Sequence, residues 1–155
     1  AAETDPIQAT DRFRALAESG PEGFALVARL RAAALLADQG DHAAARALYD
    51  QLRAETDEPV YRDLAALLEV QSLLSEPGAI DPQSLQEARD RLAPLLEPGN
   101  PWQYAAREAD AVIALRLGDG EAAREAFARL KDDPAAPAGI RARATAMHAQ
   151  LTDAN

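Results

Sequence analysis

Alanine and leucine supply most of the apolar side chains of this chain, and this restricts the folds that it can adopt. About a quarter of the 155 residues are alanine, whereas aromatic residues make up only 5%. Alanine, leucine, arginine and glutamate lose little side-chain freedom in a helix, and the β-branched residues that favour strands are scarce. The composition therefore predicts an all-α fold, with helices that pack closely in stacked pairs, and excludes a sandwich, a barrel or a Rossmann-type sheet.

Charge and cysteine content exclude several classes of partner and site. Sixteen basic against 26 acidic side chains give a net charge of −10, and no cysteine is present. An acidic chain is repelled by nucleic acids and by anionic lipid surfaces, so neither is an expected partner. Without cysteine, disulfides and thiolate metal sites are excluded. No stretch approaches the roughly 18 apolar residues of a membrane span.

Proline residues mark most of the predicted helix starts. In four places an acid or amide precedes a proline, which is typical of a capping residue followed by the first helical residue. Pro94 is expected to end or kink the fifth helix. The four pairs are Asp5-Pro6, Glu58-Pro59, Asp81-Pro82 and Asn100-Pro101. The predicted helices span residues 6–18, 22–38, 41–55, 59–75, 82–96, 101–117, 119–131 and 137–151.

Two Gly-Asp pairs indicate an internal repeat. Gly40-Asp41 and Gly118-Asp119 each predict a glycine that ends one helix and an aspartate that caps the next. The second glycine lies 78 residues after the first, and the same residue types surround both turns. Around the first stand Ala33, Ala45, Tyr49 and Leu52, and around the second Ala111, Ala123, Phe127 and Leu130.

A third, weaker copy is predicted between the two. It comprises Tyr61, Leu64, Ala65 and Leu68 on one helix, a stretched turn at 76–82, and Ala88, Leu92 and Leu95 on the next helix. Repetition at this scale predicts a superhelical array of about three helix-turn-helix units, with a flanking helix at each end. The length fits a single domain over 1–155, with 1–5 and 152–155 as frayed ends.

The residues at the two turns resemble a tetratricopeptide (TPR) repeat. The resemblance is carried by Gln39-Gly40-Asp41 with Ala45 and Tyr49, and by Leu117-Gly118-Asp119 with Ala123 and Phe127. Ala33 and Ala111 stand where the general repeat has a glycine, and its tryptophan early in the first helix is missing.

A narrower resemblance covers residues 9 to 151. Three segments are similar to the TPR-like domain of YfgM-type proteins, ancillary subunits of the bacterial SecYEG translocon, in the alphaproteobacterial version. The segments are Ala28-Arg29-Leu30-Arg31-Ala32-Ala33, Gly99-Asn100-Pro101-Trp102, and Asp133-Pro134-Ala135-Ala136-Pro137 with Ile140-Arg141-Ala142-Arg143-Ala144. The resemblance implies a domain in the periplasm, anchored to the inner membrane by a preceding helix, that helps to hand over secreted proteins. The chain begins Ala1-Ala2-Glu3, without methionine, and we expect it to be part of a longer protein.

No motif of catalysis, of cofactor binding or of metal binding is visible. His42 and His148 lie in no metal-ligand spacing, and no serine lies in a nucleophile elbow. Asp38, Asp41 and His42 could converge at the first turn, either as a solvated cap or as a metal site. We expect no enzyme, no cofactor and no small-molecule substrate.

In a stacked array, the first helix of each pair lines a concave face, and its non-core side is the expected binding surface. The surface is mixed and mildly apolar, and it suits an apolar peptide segment, although a merely solvated face is the alternative. Its residues are Val27, Leu30, Arg31, Ala34 and Asp38, then Arg62, Ala66 and Glu69, then Glu108, Val112 and Arg116. Trp102 and Tyr104 could fill the core or anchor a partner.

The function expected from these observations is non-catalytic protein binding at the periplasmic face of the secretion machinery. The alternative is a scaffold of an envelope assembly or cell-division complex with one fixed partner, and a small all-helical enzyme is a third hypothesis. Homodimers are plausible because the ends of a helical array leave apolar faces to be covered.

Overall fold

The computed structural model describes residues 6–20 and 22–153. This part of the chain is all-α and contains no strand, as the composition predicts. The helices are α1 (Pro6–Ser19), α2 (Glu22–Asp38), α3 (His42–Glu55), α4 (Pro59–Leu74), α5 (Pro82–Leu92), α6 (Gln103–Arg116), α7 (Gly120–Asp132) and α8 (Ala138–Asp153). All eight predicted helices are confirmed, and α8 includes positions 152 and 153, which were expected to fray. Residues 1–5 and 154–155, with the predicted cap Asp5, lie outside the described residues.

Local chemistry sets the helix ends, with two differences from expectation. Asp81 caps α5 because its carboxylate accepts the backbone N–H of Gln83 at 2.9 Å, and α5 gives way to a 3-10 turn that contains Pro94. Glu58 precedes α4 without a side-chain cap. The predicted start of α6 at Pro101 is wrong: the Asn100 side chain accepts the N–H of Trp102 at 2.9 Å, which makes a turn, and the helix begins at Gln103.

The chain divides between Glu76 and Pro77 into two compact units. In the first unit α1 packs on α2, α2 on α3 and α3 on α4. In the second unit α5 packs on α6, α6 on α7 and α7 on α8, and α8 also contacts α6. Helices α4 and α5, expected to form the middle pair, belong to different units, so the middle repeat stays a prediction.

The two Gly-Asp turns have the same conformation, which confirms their predicted equivalence. Gly40 and Gly118 have φ angles of +83° and +84°. The Asp41 N–H donates to the Leu36 carbonyl and the Asp119 N–H to the Ala114 carbonyl, both at 2.9 Å. Each aspartate then caps the next helix through its side chain, at 3.1 Å in the first unit and 3.0 Å in the second.

The core of each unit forms around its turn with the same residue types. Ala45 and Ala123 have no exposed surface, and Tyr49 and Phe127 are 4% and 0% exposed. Alanine is therefore found where two helices come close, beside one large aromatic ring. Leu68 of α4 packs against the first core, and Ile140 belongs to the second.

In each unit, an arginine at the start of the last helix donates hydrogen bonds to backbone carbonyls of the loop before that helix. In α4 the Arg62 guanidinium donates to the Thr56 carbonyl at 2.9 Å. In α8 the Arg141 guanidinium donates to the carbonyls of Pro134, at 3.2 Å, and Ala136. Each unit thus repeats the other in its turn, its core and the anchoring of its last helix.

Candidate functional site

The α2 part of the predicted binding face is open. None of Val27, Leu30, Arg31, Ala34 and Asp38 is buried, and Val27 is 55% exposed. Phe24 lies one turn before Val27 on the same side of the helix and is 65% exposed. The sequence reasoning missed Phe24, although its spacing of three residues from Val27 was a usable signal.

The α4 part of the face differs from expectation. Arg62 is exposed, but Ala66 and Glu69 are only 5% and 7% exposed, so neither lies on an open face. Ala65, Ala66 and Leu67 are three consecutive buried residues, which means that α4 is covered around most of its circumference. The Glu69 carboxylate lies 3.7 Å from the Arg53 guanidinium, which offsets part of the cost of its burial.

The side chains of the α6 part of the face make contacts within the second unit. The Arg143 guanidinium donates two hydrogen bonds to the Glu108 carboxylate, each of 2.7 Å, and these bonds raise the pKa of Arg143. Val112 is partly buried against the core of the second unit. Arg116 is exposed and donates to the Gly78 carbonyl at 2.9 Å. These side chains act as internal contacts of the second unit.

Trp102 and Tyr104, the predicted aromatic anchors, are both partly buried. Tyr104 packs against the core of the second unit, and the Arg107 guanidinium lies 5.3 Å from the centre of its ring. This arrangement favours a core role for Tyr104. At the position equivalent to Trp102, 78 residues earlier, the first unit has the largely exposed Phe24.

Among the described residues, the exposed large apolar side chains all belong to the first unit. Tyr61, which was expected to be a core residue of the middle repeat, is one of them at 39% exposure, because it lies in the first turn of α4. They are Ile7, Leu16, Phe24, Val27, Val60 and Tyr61. The sequence did not single out the two on α1 or Val60.

An open groove of about 550 Å³ lies in the first unit, and Tyr61 is one of its lining residues. Its lining combines apolar residues with three carboxylates, of which Glu55 is paired with Arg29. The carboxylates of Asp57 and Glu58 are exposed and have no partner in the described part of the chain. The lining residues are Ala25, Leu26, Arg29, Leu52, Glu55, Thr56, Asp57, Glu58 and Tyr61. The groove is therefore apolar at its base and negatively charged at its rim.

The first Gly-Asp turn is built as a cap. Asp41 caps α3, and the nearby Asp38 carboxylate adds to burial in raising the pKa of Tyr49. His42 has a buried Nδ1 atom with no hydrogen-bond partner in the described part of the chain. Across residues 6–20 and 22–153, no three histidine, aspartate or glutamate side chains group as metal ligands would.

No family model, curated protein or solved structure matches this chain. The resemblance to TPR repeats and to YfgM-type proteins thus continues to depend on the segments that carry it. Within the described helices, none combines the length and the apolar character needed to cross a membrane.

Proposed function

We propose that this chain is a non-catalytic protein-binding module. The observation that carries the proposal is the set of exposed apolar side chains in the first unit, one of which, Tyr61, lines a groove with an acidic rim. A partner that covers exposed side chains such as Phe24 and Val27 removes their apolar surface from water, and aromatic residues are enriched at protein interfaces. The equivalent of Phe24 in the second unit, Trp102, is already partly buried, so the apolar surface at this position is distinctive of the first unit.

The rim of the groove specifies the chemistry of the partner. Asp57 and Glu58 place two free negative charges next to the side chains of Leu26 and Tyr61. A segment with apolar side chains followed by lysine or arginine would satisfy both parts of this surface. We therefore propose such a segment as the ligand.

The scaffold proposed for this work is a TPR-like superhelical array. The proposal is supported by three features that the two units share: the Gly-Asp turn, the core around it, and the arginine that bonds the start of the last helix to the preceding loop. The TPR-like residues at both turns support it as well. In such arrays the first helix of each pair presents its outer side to ligands, which agrees with the exposure of the predicted α2 residues.

Photo-cross-linking tests the binding surface directly. A photoreactive amino acid at Val27 should cross-link partner proteins in cells, whereas one at Ala47, an exposed residue of α3, should not. Phe24→Asp should reduce capture without loss of helix content, because its side chain is largely solvated. Leu30→Asp and Val112→Asp are poorer tests, since both side chains pack against a core. Equal cross-linking from Val27 and Ala47 would refute the proposal.

The resemblance to YfgM-type proteins leads to a finer proposal: a periplasmic domain of a membrane-anchored, translocon-associated protein with a chaperone-like role. Mass spectrometry of the Val27 cross-links in the membrane fraction tests it. Translocon subunits together with diverse secreted proteins would support it. A single stable partner would instead identify a scaffold of an envelope assembly or cell-division complex.

A further inference from the structure

The two units contain equivalent clefts of different size. The first lies among α1, α2 and α3 and has a volume of about 160 Å³. The second lies among the 3-10 turn, α6 and α7 and has a volume of about 400 Å³. The shift of 78 residues that relates the turns also relates the linings: Arg29 corresponds to Arg107, Leu48 to Ala126 and Gln51 to Arg129. The first cleft therefore serves as an internal reference for the second.

The second cleft is larger at a position where the first is filled by a side chain. Leu48 of the first unit is replaced by Ala126, which removes three carbon atoms from the lining. The remaining apolar lining is formed by Leu96, Ala126 and Leu130. A volume of about 400 Å³ lies in the range of about 300–1,000 Å³ that is typical of small-molecule sites.

The arginine in each cleft has a different partner. In the first unit Arg29 forms an ion pair with Glu55. The position of Glu55 is taken by Asp133, which is one methylene shorter and accepts the N–H of Ala135 at 2.8 Å. Within residues 6–20 and 22–153, no carboxylate lies at ion-pair distance from Arg107.

The contacts that Arg107 does make leave its guanidinium available. One nitrogen donates to the Gln103 side chain at 3.3 Å, and the group lies over the ring of Tyr104. A guanidinium held in this way keeps most of its five N–H donors for a ligand. Arg107 thus lines the cleft and is oriented by Gln103 and Tyr104. It has no carboxylate partner comparable to Glu55, which pairs with Arg29 in the first unit.

The other charged side chains of the cleft each have a partner, and that of Asp133 is the backbone N–H of Ala135. Asp110 is paired with Arg89 at 2.7 Å. Arg129 is exposed and lies 3.5 Å from Glu125 on the same helix. The guanidinium of Arg107 is therefore the cationic group of this cleft that has no carboxylate partner among the described residues.

We propose that the cleft binds a small organic monocarboxylate with an apolar body. The carboxylate would pair with Arg107 in the place that Glu55 takes beside Arg29. The apolar part would lie against Leu96, Ala126 and Leu130. A guanidinium can donate two parallel N–H hydrogen bonds to the two oxygens of a carboxylate, which favours a carboxylate over a monatomic anion such as chloride. The lining of this cleft shares no residue with the proposed protein-binding surface of the first unit.

Titration with octanoate, followed by NMR of the ¹⁵N-labelled protein, tests the proposal. We expect saturable shifts of the amide signals of Arg107, Ala126 and Leu130. Octanamide, which has the same chain but no charge, should bind at least about ten-fold more weakly, since hydrogen bonds to charged groups are the stronger ones. Absence of saturable shifts, or equal binding of the two compounds, would overturn the proposal.

The first unit supplies variants that close the site with residues already present in an equivalent cleft. Ala126→Leu should fill the space, and Asp133→Glu should offer Arg107 an internal partner. Each should weaken octanoate binding, while Arg29→Gln in the first unit should leave it unchanged. Arg107→Gln should weaken it about ten-fold or more and keeps the test valid if Ala126→Leu fails to fold. Binding by Arg107→Gln with wild-type affinity would refute the proposal.

Discussion

Gly40 and Gly118 offer a matched test of why each hairpin turns at a glycine. Their φ angles of +83° and +84° lie in the left-handed region, which costs a residue with a Cβ atom about 1–2 kcal/mol. A Cβ atom built on either glycine has no heavy atom within 4 Å, so alanine would add backbone strain without a steric clash. We therefore expect Gly40→Ala and Gly118→Ala each to lower the free energy of unfolding by about 1 kcal/mol.

Gly120, the first residue of α7, is the control for Gly118. Its φ angle is not positive, and a Cβ atom there also meets nothing within 4 Å. Gly120→Ala should raise the free energy of unfolding by up to about 1 kcal/mol, because alanine loses less backbone freedom in a helix. Urea unfolding followed by circular dichroism measures all three variants. If Gly118→Ala is neutral, or if Gly120→Ala destabilises as much as Gly118→Ala, the argument from φ fails.

Three further outcomes follow from the cores and caps. Phe127→Ala should lower the free energy of unfolding by about 3–5 kcal/mol, because the ring is fully buried, and a loss of less than about 1 kcal/mol would contradict a core role. The Ser84 hydroxyl lowers the pKa of Asp81, so the cap stabilises the fold above the ordinary value of 3.8 and is lost as the pH falls through the lowered value. Ser84→Ala should raise the pKa of Asp81 in an NMR titration, and an unchanged pKa would exclude this cause. Burial, with a contribution from Asp38, raises the pKa of Tyr49 above 10.0, so stability should decline as the pH rises beyond that value, where the unfolded chain ionises first. Tyr49→Phe should reduce this decline in alkaline unfolding curves, and an identical decline in the variant would refute the assignment.

The turns could be predicted from the sequence because their causes are local. A glycine at positive φ and an aspartate that caps the next helix need only neighbouring residues, so Gly40-Asp41 and Gly118-Asp119 specify their own geometry. The Asn100-Pro101 pair misled for the same reason. Its side chain and backbone can cap a helix or close a turn, and residues further along the chain decide between the two.

The binding face was only partly predictable because helical spacing shows which residues share a side, not how many sides become covered. Val27 was placed correctly at the surface of α2. Ala66 was placed on an open side of α4, but the helix is surrounded over most of its circumference. The charge of Glu69 indicated exposure, whereas its carboxylate is buried beside the partly exposed Arg53 guanidinium. Partners from other helices, which the spacing along one helix does not specify, decided both positions.

The two units separate residues that maintain the fold from residues that give a surface its chemistry. Glycine and aspartate at the turn, and alanine at the closest helix contact, are the same in both units. Another residue at the glycine would strain the backbone, and a larger residue at the alanine would overfill the space between the helices. The proposed cleft site depends on positions where the units differ, such as Leu48 against Ala126 in the lining and Glu55, the partner of Arg29, against Asp133. The same turn geometry is present in both units, although the two units carry different members of each pair. These differences leave Arg107 without an acid and open a cleft beside it, which is why ligand binding is the property to measure there.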